Sequence, residues 1–111
     1  MANKRLIFGL AERHYDEFER IFSRYPQVDR VLIFGSRAKG TDKPESDFDL
    51  AVLAPTMKES EFSRLWNEID ALPLVFKVDL LHWDRLTQNR LKEKITSEGR
   101  LFYPRPTNST E

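Results

Sequence analysis

Three of the six prolines, Pro26, Pro55 and Pro73, cut the chain into segments that each carry a single hydrophobic period. A chain so punctuated is restricted to short helices and strands in alternation, because proline ends a helix and is kept out of central strands. Before Pro26, the positions Ile7, Leu10, His14, Phe18, Ile21, Phe22 and Tyr25 recur at helical spacing, with Glu12, Arg13, Asp16, Glu17, Glu19 and Arg20 between them. They predict one amphipathic helix over residues 3–25. Residues 28–34, partly β-branched and ending at Gly35, read as a largely buried strand. Residues 35–46 hold two glycines, a proline and five charged side chains, and read as an exposed loop.

A second strand over residues 47–53 closes at Pro55 and alternates, with Asp47, Asp49 and Ala51 on one side and Phe48, Leu50 and Val52 on the other. Thr56 with Glu59 reads as a capping box, opening a helix whose core stripe is Phe62, Leu65, Trp66, Ile69 and Leu72. That helix ends before Pro73. Residues 76–81 form a third strand, with Val78 and Leu80 facing one way and Lys77, Asp79 and Leu81 the other. Asp84 is the expected cap of a last helix carrying Leu86, Leu91 and Ile95, stopped by Gly99. The element order is α-β-β-α-β-α. The expected fold is a small α/β (α+β) domain, a mixed sheet of three strands or slightly more flanked by helices.

With 111 residues, there is room for one domain, placed at 1–103, and the proline-bearing stretch 104–111 reads as a flexible tail. The 18 Lys and Arg balance the 18 Asp and Glu, so no broad positive field for nucleic acid or an anionic membrane is expected. Any nucleotide must be held by local chemistry. The longest aliphatic and aromatic run, residues 31–34, is far short of the ~20 residues of a membrane span, and residues 6–10 are too few and mixed for a secretory signal. The absence of cysteine excludes thiolate chemistry and suits the cytoplasm.

The candidate chemistry lies on two strands. Asp47 and Asp49 share a strand face about 6.6 Å apart at ~3.3 Å per residue, and Asp79 offers a third carboxylate if its strand is a neighbour. Three converging carboxylates repel one another unless a cation neutralises them, and all-oxygen donors select hard cations such as Mg²⁺. Two such ions are the arrangement of phosphoryl and nucleotidyl transfer. At the end of the first strand, Gly35 permits close backbone approach to a phosphate, Ser36 offers a hydroxyl, and Arg37 and Lys39 add charge.

Gly35-Ser36, then Asp47-x-Asp49, then Asp79 on a later strand resembles the nucleotidyltransferase superfamily that includes DNA polymerase β. The string FGSRAKGTDKPESDFDLAV followed by KVDLL looks most like its smallest branch, the minimal nucleotidyltransferase (MNT) domains. The resemblance implies that Gly35 and Ser36 bind the triphosphate of ATP, that Asp47, Asp49 and Asp79 ligate two Mg²⁺ ions, and that Asp79 helps activate the acceptor hydroxyl. Arg37 matches a basic position of the motif, and Lys39 stands where arginine is common. It further implies an antitoxin that transfers AMP to a tyrosine of a HEPN-domain toxin encoded beside it. Two alternatives stand beside this: an antitoxin that restrains the toxin by binding alone, and transfer to a small-molecule acceptor, for which 111 residues leave no binding module.

Other residues have simpler expectations. His14 reads as a half-buried histidine on the first helix, and His82 as a surface residue near Asp79. The clusters at Lys4-Arg5 and residues 90–94 read as solvated faces, and Trp83 with Leu101, Phe102 and Tyr103 as aromatic surface in excess of the core.

Overall fold

A computed structural model describes residues 6–8, 10–35 and 47–105. The elements are β1 (Leu6–Ile7), β2 (Leu10–Ala11), α1 (Glu12–Ser23), β3 (Arg30–Phe34), β4 (Phe48–Leu53), α2 (Glu59–Asp70), β5 (Val78–His82), a 3₁₀ turn (Trp83–Arg85), α3 (Asn89–Glu98) and β6 (Arg100–Tyr103).

The first helix is shorter than its periodicity predicts. Phe8 takes a positive φ of 57°, and the chain turns so that Ile7 pairs with Leu10 in a small antiparallel hairpin. Helix α1 begins only at Glu12. A glycine at position 9 disfavours helix, so the turn wins over a period that Ile7 and Leu10 happen to share. The expected first residues, 3–5, lie outside the described residues.

The principal sheet has the order β5-β4-β3-β6, with β4 and β5 parallel and the other pairs antiparallel. Its fourth strand, β6, corrects the reading of residues 101–103 as surplus aromatic surface. Phe102 is fully buried, its ring 5.5 Å edge-on from Phe18 and 4.9 Å from Tyr15, whose hydroxyl donates to the Phe102 carbonyl. Both sheet faces are covered. On one, Val31, Ile33, Phe48, Leu50, Val52, Leu80 and Phe102 pack against Phe18 and Phe22 of α1 and Leu65 and Ile69 of α2. On the other, Leu32, Ala51 and Leu53 pack against Ile95 of α3.

Three helix expectations shift. The Glu61 carboxylate accepts from the Lys58 backbone N–H at 2.8 Å, so α2 is capped two residues after the expected Thr56 and Glu59 pair. Trp66, expected in the core, is 40% exposed, because the buried stripe of α2 narrows to Leu65 and Ile69. Asp84 does not cap α3, which starts at Asn89 and ends at Gly99 as expected. Its Oδ2 instead accepts from the Ala54 N–H at 2.6 Å. Lys92, from the cluster read as a solvated face, lies over the Trp83 ring at 4.2 Å.

At the end of β6, the Arg105 guanidinium reaches Asp16 at 2.6 Å, Glu19 at 3.1 Å and Glu12 at 3.3 Å, pinning the start of the stretch read as tail against α1. Residues 106–111 lie outside the described residues.

Candidate active site

Parallel pairing sets Asp49 of β4 level with Asp79 of β5. Because strand side chains alternate, both carboxylates stand on the sheet face that carries Ala51 and Leu81. Parallel neighbours lie ~4.8 Å apart, so the condition the sequence left open, that the two strands are neighbours, is met and the two acids are brought together. Asp47 sits immediately before β4, exposed. Burial pushes the Asp49 carboxyl above the ordinary range, and the charges of Asp79 and Asp47 push it further, together with a hydrogen bond to Asp79. Such a bond requires a proton on one of the two acids, the usual resolution when like charges meet.

Antiparallel pairing of β3 brings Phe34 opposite Asp49, so the next residue, Gly35, lies beside the acid. Gly35 has φ +81°, and a Cβ placed on it would come within 2.5 Å of Asp49 Oδ2. The sequence suggests glycine here for approach to a phosphate; the structure adds that glycine is what lets β3 end against the carboxylate. Lys77 Nζ stands 3.9 Å from Asp79 Oδ1 with Asp79 46% exposed, a loose pair that leaves the site acidic. Ser36, Arg37 and Lys39 lie outside the described residues.

Among the described residues, no three His, Cys, Asp or Glu side chains are already disposed to hold a metal ion. The pair Asp49 and Asp79, with the charge of Asp47 acting on it, is nonetheless short of positive charge and offers oxygen donors only. That chemistry fits a hard divalent cation such as Mg²⁺.

His82 is not at the surface. It is buried, its ring stacked 5.0 Å from Phe62, and its Nε2 lies 2.9 Å from the Ala54 carbonyl oxygen. With Asp84 on the Ala54 N–H, one side chain from the end of β5 and one from the turn after it hold both backbone groups of Ala54, the residue that follows β4. No sequence signal marks this clamp, since it depends on β4 and β5 ending side by side. His14 is half-buried as expected, with Nδ1 3.2 Å from Glu17 Oε1.

A small mixed sheet with paired acids at the start of two parallel strands, and a glycine from the adjoining strand against them, defines a nucleotidyltransferase-type core. Residues 16–108 match the family Polymerase beta, Nucleotidyltransferase, and the chain belongs to that family. Solved structures share its fold. One is the crystal structure of a toxin-antitoxin with AMP-PNP (23% identity, TM-score 0.65, covering 80% of this chain and 72% of that one). Another is a toxin-antitoxin mutant containing MntA (26%, 0.60, 83% and 71%). A third is the toxin-antitoxin MntA-HepT (20%, 0.58, 83% and 71%). No curated protein matches the chain. No helix among the described residues is long and apolar enough to cross a membrane.

Proposed function

We propose that this chain is a Mg²⁺-dependent nucleotidyltransferase that acts in the cytoplasm as an antitoxin, moving AMP from ATP to a tyrosine hydroxyl of a cognate HEPN-domain toxin. The observation that carries this reading is the level pairing of Asp49 with Asp79 beside Gly35. The likeness to toxin-antitoxin structures, one of them with AMP-PNP, supports ATP as the nucleotide and a toxin as the partner.

In this reading Asp47, Asp49 and Asp79 hold two Mg²⁺ ions. When bound, these supply the positive charge that both the carboxylates and the triphosphate need. Gly35 and Ser36 bind the triphosphate through backbone amides and a hydroxyl, with Arg37 and Lys39 adding charge. Asp79, whose side chain is 46% exposed, accepts the proton of the attacking hydroxyl at a carboxylate oxygen. The hydroxyl oxygen attacks the α-phosphorus in line; the new phosphorus–oxygen bond forms as the bond to pyrophosphate breaks, and pyrophosphate leaves. Asp49, pressed between burial and two neighbouring acids, fixes where charge must be neutralised.

Restraint of the toxin by binding alone is favoured by one observation, the exposed aromatic ring of Trp66. One experiment separates the two. The chain is mixed with ATP, Mg²⁺ and the HEPN-domain partner, and the intact masses of both proteins are read, with the variant Asp47→Asn, Asp49→Asn as control. A gain of AMP units on the partner, absent with the variant, supports transfer. A stable, inhibited complex of unchanged mass overturns it in favour of binding.

A further inference from the structure

Helix α2 turns an unusual face outward. Glu59, Phe62, Ser63, Trp66 and Asp70 follow one another at spacings of three, four, seven and eleven residues from the first, which places them on one side of the helix. Leu65 and Ile69 take the core, and Phe62 is held inward by its stack on His82. Trp66 is left 40% exposed beside a groove of about 410 Å³ lined by Phe62, Ser63, Trp66 and Asn67. A large exposed aromatic ring next to a groove is a common mark of a protein-binding surface.

The charges decide what fits. Glu59 and Asp70 are exposed at the two ends of the stripe, about 16 Å apart at ~1.5 Å per residue, and neither makes an ion pair among the described residues. The other acids of the helix are engaged elsewhere: Glu61 with Lys58 and Gln27, and Glu68 with Arg24 and Tyr25. A second copy docking through the same face sets carboxylate against carboxylate in either orientation, Glu59 against Asp70 or each against itself. A nucleic acid meets the same repulsion.

We propose that this face of α2 docks a helix of a partner protein that carries an apolar side chain between Lys or Arg residues about three turns apart. The apolar side chain enters the groove beside Trp66, and the cations reach Glu59 and Asp70. Identifying that protein as the toxin rests on the function proposed above.

The test is calorimetric titration of the full chain with the HEPN-domain partner at two salt concentrations. Trp66→Ala weakens binding at least tenfold. The double reversal Glu59→Lys, Asp70→Lys weakens it at least as much and removes most of its salt dependence. Glu93→Lys, the same kind of reversal at an exposed site on α3 and half the change of charge, stays within twofold of the parent. Circular dichroism confirms that each variant is folded; all four positions are exposed, and the charge reversals stand independently of the Trp66 result. If the parent chain binds and both α2 variants bind as tightly, the docking face is overturned and the toxin reading stands. If the parent chain does not bind the HEPN protein, the toxin reading is overturned, and this proposal with it. A parent chain that is a dimer in solution, and a monomer as Trp66→Ala, overturns the docking proposal in favour of self-association.

Discussion

Gly35 and Asp49 stand so close that the first carbon of any side chain on Gly35 would lie 2.5 Å from the Asp49 carboxylate. The backbone at Gly35 also has φ +81°, which costs other residues about 1–2 kcal/mol. Gly35→Ala is therefore expected to lower stability by about 1–3 kcal/mol and to displace Asp49 from its level with Asp79. Urea denaturation checks the first part and a transfer assay the second. Unchanged stability would contradict the close approach.

The metal-free protein should grow less stable as pH rises out of the acid range. Burial, then Asp79 and Asp47, raise the Asp49 carboxyl, so the folded chain holds a proton that the unfolded chain has already lost. A group raised in this way gives stability that is complete below its unfolded value, near 3.9, and lost as pH rises through its folded value. Melting in EDTA across pH 4–8 is expected to show the decline. Asp49→Asn flattens it and raises the melting temperature at neutral pH. A variant with the parent's pH dependence would place its origin elsewhere.

Tyr25 predicts a second, alkaline, loss. Burial and the hydroxyl's bond to Glu68 push its ionisation up to about 12, so stability present below ~10 falls away as pH rises towards 12. Tyr25→Phe removes this share of the loss and costs about 1 kcal/mol at pH 7, since Glu68 keeps Arg24 at 2.7 Å. Denaturant midpoints at pH 7 and pH 11 test both statements; a variant that loses as much stability between those pH values as the parent refutes the assignment.

Phe102→Ala is expected to cost about 3–5 kcal/mol, while Leu101→Ala, whose side chain is 38% exposed, costs under about 1 kcal/mol. The pair reports on β6, because a strand sends adjacent side chains to opposite faces of the sheet. Equal losses would mean that residues 100–103 do not pair with β3.

That strand marks where the sequence stopped being readable. The alternation of residues 48–52 and 78–81 shows which face of its own strand each of Asp49 and Asp79 takes, since a period of two survives in short strands; that the two faces coincide follows only from the pairing of the strands. Their level pairing depends on the register of two strands thirty residues apart, which no local pattern encodes. A four-residue strand after a helix-stopping glycine carries too little pattern to be distinguished from a tail, and β1 and β2, of two residues each, carry less. The α2 stripe shows which side of the helix is apolar but not how far the core reaches around it, so it predicts Trp66 inside, where the structure leaves it 40% exposed. His82 is buried by a ring from another element, Phe62, and nothing near position 82 announces it.

The place of β6 at the sheet edge, beside β3, has a consequence for the growing chain. Synthesis delivers Gly35, Asp47, Asp49 and Asp79 well before it delivers residues 100–103. A nascent chain thus carries every described residue of the candidate site while β3 still shows an open row of amides and carbonyls, and while the space that Phe102 fills is empty. Unpaired strand edges recruit other strands. Until residues 100–103 pair with β3, that edge of the sheet is open to mispairing.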